Sequence, residues 1–155
     1  MKSSLFFIAA ALLVAGSLPA QTTSPVRLGA LTCEHQINPI GIGETAPRLS
    51  WKLLSDRIGE TQTAYEIRAA STAAGLTSGN ADLWSTGKVA SDQSVLVSWA
   101  GKALTSRSQA FWQVRVWDKD GQVSAWSDPA SFELGLNSAG DWKAQTHVAT
   151  APRIR

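Results

Sequence analysis

The sequence predicts an all-β chain, a seven-stranded antiparallel β-sandwich, and three observations carry that reading. Short runs of apolar residues recur at every second position, the period of a strand with one buried face. Gly, Pro, Asn and Asp punctuate these runs at the spacing expected of a sandwich, and no stretch carries a convincing amphipathic helical pattern. The run Phe111 to Ser127 holds a strand, a turn and the start of a returning strand in one piece. Trp112, Val114 and Val116 share one face of that strand and Gln113, Arg115 and Trp117 the other. Asp118-Lys119-Asp120-Gly121 supplies the turn, because Asp caps its own backbone and Gly121 tolerates positive φ. A two-stranded hairpin is marginal alone, so other strands must cover its Trp/Val face.

In chain order, Val26–Glu34 reads as an edge strand, with Leu28, Ala30 and Thr32 opposite Gly29, Leu31 and Cys33. Asn38-Pro39 and Gly41-Ile42-Gly43 read as a loop. Pro47 marks the start of a strand over Arg48–Leu53, in which Leu49, Trp51 and Leu53 alternate with Arg48, Ser50 and Lys52, making Trp51 a core anchor. Ala64–Ser71 places Tyr65, Ile67 and Ala69 inward. The Ala73–Ala81 stretch reads as a loop with one helical turn. Leu83–Val89 and Ser94–Trp99 read as short strands, the second with Val95, Val97 and Trp99 on one face. Gly101–Gln109 is a connection, and after Pro129 Ser131–Leu134 continues the returning strand. The sandwich therefore occupies residues 25–136, and residues 137–155, opening with Asn137-Ser138-Ala139-Gly140, read as a linker and the start of a truncated second domain.

The first residues carry a targeting pattern. Lys2, the apolar run Leu5–Val14 and the small-residue end Gly16-Ser17-Leu18-Pro19-Ala20 read as a secretory signal over residues 1–20. Cleavage is expected after Ala20, with Ser17 as the alternative, and the apolar run is too short to span a bilayer. An exported protein, periplasmic or extracellular, is expected. Cys33 is the single cysteine, so no internal disulfide can form and burial must hold the core. It reads as a small buried hydrophobe.

Chemistry-bearing groups are sparse. The formal net charge is +2, and the basic residues are scattered, which leaves no nucleic-acid footprint. His35 and His147 lie far apart and have no companion ligand at metal spacing, so no metal site is expected. Asp118 and Asp120 sit on one turn. They lack the later ligands of a calcium loop and do not flank a cleft as glycosidase carboxylates do. No catalytic residue and no cofactor site are expected. The surplus feature is tryptophan, seven in all. Alternation explains Trp51, Trp99 and Trp112 as core, whereas Trp117, Trp126 and Trp142 are candidate carbohydrate contacts. The structural alternative for the outer face of the hairpin is a guanidinium–indole stack, with Arg115 within about 6 Å of the Trp117 or Trp126 ring.

The motifs also form a recognisable set. Val114-Arg115-Val116, Asp118, Gly121 and Trp126-Ser127 resemble the last hairpin of a fibronectin type III or immunoglobulin-like domain, with Trp112 where that fold often has tyrosine. Cys33-Glu34, Asn38-Pro39, Gly41-Ile42, Pro47-Arg48-Leu49-Ser50-Trp51, Gln62-Thr63-Ala64-Tyr65, Leu83-Trp84, Gly87-Lys88-Val89, Phe132-Glu133-Leu134-Gly135-Leu136 and Asp141-Trp142 resemble the N-terminal region of bacterial α-L-rhamnosidases of glycoside hydrolase family 78. The resemblance implies a non-catalytic accessory sandwich. It also implies that the parent enzyme hydrolyses terminal α-L-rhamnose in later domains, which would be the partners of this one. Rhamnose-containing glycans are further implied partners. A self-standing carbohydrate-binding module is the reading from a different class.

Overall fold

A computed structural model of the chain describes residues 23–143. The expected signal segment, His147 and most of the expected linker lie outside the described residues. Within them the chain forms two sheets with a core between, an all-β sandwich as expected. Eight strands are present, in order β1 (Arg27–Cys33), β2 (Ile40–Ile42), β3 (Arg48–Leu54), β4 (Gln62–Ala70), β5 (Trp84–Ser85), β6 (Val97–Ser98), β7 (Gln109–Asp118) and β8 (Ala130–Leu134). A short helix α1 (Ala73–Thr77) follows β4, where one helical turn was expected. One sheet has the order β1-β3-β6 and the other β2-β8-β7-β4-β5.

The additional strand is β2. It lies in the stretch read as a loop and pairs parallel to β8 through Ile40↔Glu133 and Ile42↔Leu134. Three residues, the middle one Gly41, flanked by Pro39 and Gly43, are too few to display a period, so only the tertiary pairing reveals them. The other strand pairings are antiparallel.

The faces follow the alternation. Leu49 and Trp51 on β3, Tyr65, Ile67 and Ala69 on β4, and Trp112, Val114 and Val116 on β7 are buried between the sheets. Trp51 packs edge-on to Tyr65 at 5.3 Å, and Trp99 edge-on to Phe132 at 5.5 Å. These are the favoured geometries of rings with opposed edge and face charge. The Trp51 indole Nε1 donates to the Gln62 side-chain oxygen at 2.9 Å. Gln62 in turn donates to the Ser91 and Gln93 carbonyls at 3.0 Å each. Its buried amide is thereby satisfied, which spares the core an unpaired polar group.

Two of the breaks in alternation are marked by positive φ. Ala30 (φ 46) forms a bulge in β1, where the register against β3 shifts between Gly29 and Thr32. The extra residue reverses parity, so Val26 and Leu28 before it and Leu31 and Cys33 after it all turn toward the core. Leu96 (φ 54) does the same beside β6. Val97 and Trp99 are buried as expected, but Val95 is 57 % exposed and does not join them.

The expected Leu83–Val89 strand is interrupted rather than absent. Its ladder with β4 covers Trp84 and Ser85 and resumes as a single bridge between Val89 and Tyr65. In the gap, Thr86 replaces a carbonyl with its hydroxyl: its N–H donates to the Ile67 carbonyl at 3.0 Å, and its Oγ1 accepts from the Ile67 N–H at 2.9 Å. Gly101 crosses this strand so closely that a Cβ there would stand 2.6 Å from the Trp84 Cβ.

Candidate functional site

The stretch with the densest side-chain chemistry is the outer face of β4 and β7. Because these strands alternate, the residues left outside by the core positions are Glu66 and Arg68 on β4 and Gln113, Arg115 and Trp117 on β7. The antiparallel register sets Glu66 opposite Arg115 and Arg68 opposite Gln113. Directly opposed side chains interact, so opposite charge across the Glu66–Arg115 pair is the favourable choice.

The segment after the turn brings in the last ring. Residues 122–127 were expected to begin the returning strand, but regular pairing resumes only at β8. The cause is one extra residue. The Ser124 N–H donates to the Val116 carbonyl at 2.8 Å, and the Ser127 N–H to the Val114 carbonyl at 2.9 Å. Val116 and Val114 are two apart whereas Ser124 and Ser127 are three apart, so the stretch cannot be a uniform ladder. The serine hydroxyls complete it. Ser124 Oγ accepts from the Val116 N–H at 3.1 Å and Ser127 Oγ from the Val114 N–H at 3.2 Å. In a regular ladder residue 126 would stand opposite Val114 and share its inward face. The insertion puts Ser127 there instead and frees Trp126 to lie over Arg115.

The result is a stack that alternates cation and indole. Lys88 Nζ lies 4.6 Å from the Trp117 ring centroid, and the Arg115 guanidinium carbon 5.4 Å from Trp117 and 4.7 Å from Trp126. The Arg68 guanidinium carbon closes the series 4.2 Å from Trp126. The expected Arg115 stack is present, with two more cations than the sequence indicated. Glu66 Oε2 anchors its centre, accepting from Arg115 Nε at 2.8 Å and standing 2.7 Å from a terminal nitrogen. The buried Gln113 carboxamide, with its oxygen turned toward Arg68, accepts from the Arg68 guanidinium. Burial, and then the charge of Arg115, pull the Arg68 guanidinium below its usual pKa. Sequence reasoning missed Glu66, Arg68 and Lys88. The first two were visible as the outer set of β4, but their partnership needed the β4–β7 register.

Trp142 stands apart. It follows a single 3-10 turn at Ala139–Asp141 and is 66 % exposed. Thus the three candidate carbohydrate contacts divide: Trp117 and Trp126 share one stack in which each ring meets two cations, and Trp142 lies open at the far end of the described chain.

The carboxylates considered for catalysis hold the fold. Asp118 is fully buried, and its Oδ1 accepts from the backbone N–H groups of Asp120 at 3.0 Å and Gln122 at 2.8 Å. Gly121 completes this turn at φ 74. Asp120 is paired with Arg57 at 2.9 Å, which holds its carboxyl below the usual range. Glu34 forms a two-point fork with Arg48 at 3.1 and 2.6 Å and also accepts the Arg48 backbone N–H at 2.7 Å, and its carboxyl too is held low. His35 sits in a turn at φ 65. Among the described residues no three metal-ligating side chains are grouped. Cys33 is buried, and burial, reinforced by Glu34, pushes its thiol up to about 12.

Comparison with known proteins places this geometry among related chains. Residues 28–138 match the family model described as Rha78A-like, N-terminal immunoglobulin domain. The α-L-rhamnosidase of Streptomyces avermitilis is 46 % identical over 129 residues, covering 83 % of this chain and 12 % of that protein. The α-L-rhamnosidase of an Alteromonas species is 43 % identical over 112 residues, covering 72 % of this chain and 12 % of its own length. The crystal structure of the Streptomyces avermitilis enzyme complexed with L-rhamnose superposes with a TM-score of 0.73 at 46 % identity, over 77 % of this chain and 11 % of that one. The chain therefore spans about an eighth of the curated relatives it matches.

Proposed function

The chain belongs to the Rha78A-like N-terminal immunoglobulin domain family, and from that membership we propose that it serves as a non-catalytic accessory β-sandwich of an exported α-L-rhamnosidase-like glycoside hydrolase. The parent polypeptide would hydrolyse terminal α-L-rhamnose in domains other than this one. The observation that carries the reading is the family match over residues 28–138 together with similar relatives of which this chain spans only 11–12 %. The site supports it, because the acidic residues weighed for catalysis, Asp118 and Asp120, are committed to a turn and to an ion pair. Export rests on the pattern of residues 1–20. The test is hydrolysis of a chromogenic α-L-rhamnoside: the purified 155-residue chain is inert and the longer polypeptide is active. Turnover by the purified chain alone would end the proposal.

A second reading, a self-standing carbohydrate-binding module, draws on one observation, the open indole of Trp142. Titration of tryptophan fluorescence with rhamnose-containing glycans separates the two. A saturable change abolished by Trp142→Ala favours the module, and a flat titration favours the accessory domain.

A further inference from the structure

The described chain ends in a built feature. Asn137 N–H donates to Ser106 Oγ at 2.9 Å, and the Ser106 hydroxyl hydrogen-bonds the Asp141 carboxylate. Ser138 caps the 3-10 turn: its Oγ accepts from the Gly140 N–H at 3.3 Å while its own N–H donates to Asp141 at 3.3 Å. On the opposite side Arg107, held at φ 62, donates its N–H to the Gly135 carbonyl at 3.1 Å. Residues 135–142 are thus clasped onto the Thr105–Ser108 loop. Such a clasp sets the direction of the backbone at Trp142, which a Gly/Ser-type linker would leave free. It opens a groove of about 450 Å³ lined by Ser106, Arg107, Leu136, Asp141, Trp142 and Lys143.

We propose that this groove is the docking surface for the domain that follows in the same polypeptide, with Trp142 as its apolar anchor. This rests on the accessory-domain reading above. Two observations select that occupant. The relatives are about eight times longer than the matched segment, so most of such a polypeptide lies outside this sandwich. Its path leaves from the groove itself, because Asp141, Trp142 and Lys143 form the groove wall. The chain that continues beyond Lys143 therefore starts at this wall. An indole held open by a hydrogen-bonded clasp has the character of an interface anchor: a large ring, few rotatable bonds, and Arg107, Asp141 and Lys143 as a polar rim. The groove therefore fits a partner surface with an apolar centre and flanking hydrogen-bonding groups.

The test is residue-resolved hydroxyl-radical footprinting of two proteins, the 155-residue chain and the longer polypeptide translated from the natural reading frame. In the 155-residue chain Trp142 oxidises faster than Trp117 or Trp126. In the longer polypeptide its oxidation falls to the level of buried Trp112, while Trp117 and Trp126 keep their rates. Trp142→Ala leaves the melting temperature of the 155-residue chain unchanged and separates the sandwich from the main unfolding transition of the longer polypeptide. A continuing frame in which Trp142 oxidises as fast as before overturns the docking and spares the accessory-domain reading. A frame that stops after Arg155 overturns the accessory-domain reading itself. Protection of Trp142 in the 155-residue chain by L-rhamnose, or by raising its own concentration, overturns the docking in favour of a sugar platform or a second copy.

Discussion

The guanidinium of Arg115 lies 4.7 Å from the centroid of Trp126, although the two residues sit on segments that do not pair as regular strands. Arg115 also reaches Trp117 and is held by Glu66. It is the one cation of the stack that touches both rings. Arg115→Ala should therefore destabilise the fold by about 1–2 kcal/mol, since it removes two cation–π contacts and leaves a half-buried carboxylate without its partner. Lys88→Ala, at the end of the stack, should cost about 0.5 kcal/mol. Urea unfolding of both variants tests the order, and equal losses would show that Arg115 is not the centre of the stack.

Ser124 and Ser127 predict a loss out of proportion to their size. Each hydroxyl accepts from a buried valine N–H, and a buried donor left unpaired costs roughly 1–3 kcal/mol. Ser124→Ala and Ser127→Ala should each lower stability by about that amount, whereas Ser98→Ala on the exposed face of β6 should not. Amide hydrogen exchange gives the sharper reading: the Val116 N–H loses protection in the first variant and the Val114 N–H in the second.

Trp51 and Trp112 are anchors of a core without a disulfide. Trp51→Ala or Trp112→Ala should cost about 3–5 kcal/mol, a large share of the stability of a small domain. Trp117→Ala should cost about 1 kcal/mol, the scale of its cation contacts. Melting curves that showed all three equally tolerated would contradict the assignment of inner and outer faces.

Acid should destabilise the protein through Glu34. Its folded pKa is depressed, chiefly by the hydrogen bond to the Arg48 side chain, so the folded state holds its proton more weakly than the unfolded state. The stabilisation is fully present above the ordinary glutamate value of about 4.3 and is lost as pH falls below it toward the folded value. Glu34→Gln should be less stable than the parent at pH 7 and lose less on going to pH 3. Denaturation midpoints at the two pH values check this, and an unchanged difference would remove Glu34 from the account.

Cys33 should behave as an inert thiol until the sandwich opens. With a pKa of about 12, its thiolate is rare at pH 8, and the side chain is 1 % exposed. Ellman's reagent should react with it slowly in buffer and rapidly in guanidinium chloride. Equal rates would mean that the edge strand β1 is open in the native state.

Local period-two patterning determined the all-β class, the inward faces of β3, β4 and β7, the burial of Trp51 and Trp112, and the turn at Asp118 to Gly121. Each of these depends on residues within one strand or one turn, where alternation and turn chemistry act directly. The outward pairing of Arg115 with Trp117 was legible for the same reason. Only the tertiary structure decided the rest. The bulge at Ala30 and the left-handed Leu96 reverse parity, so that Val26 and Leu31 both turn inward and Val95 turns out, and nothing local distinguishes such positions from a regular strand. The parallel strand β2 exists because β8 is beside it. Arg68 and Lys88 join the stack because the β4–β7 register and the interrupted β5 edge carry them there. The one-residue excess between Ser124 and Ser127 then turns Trp126 outward. Side-chain direction within a strand is set by the neighbouring residues of the chain, whereas partnership across strands is set by register, and register is a property of the packed whole.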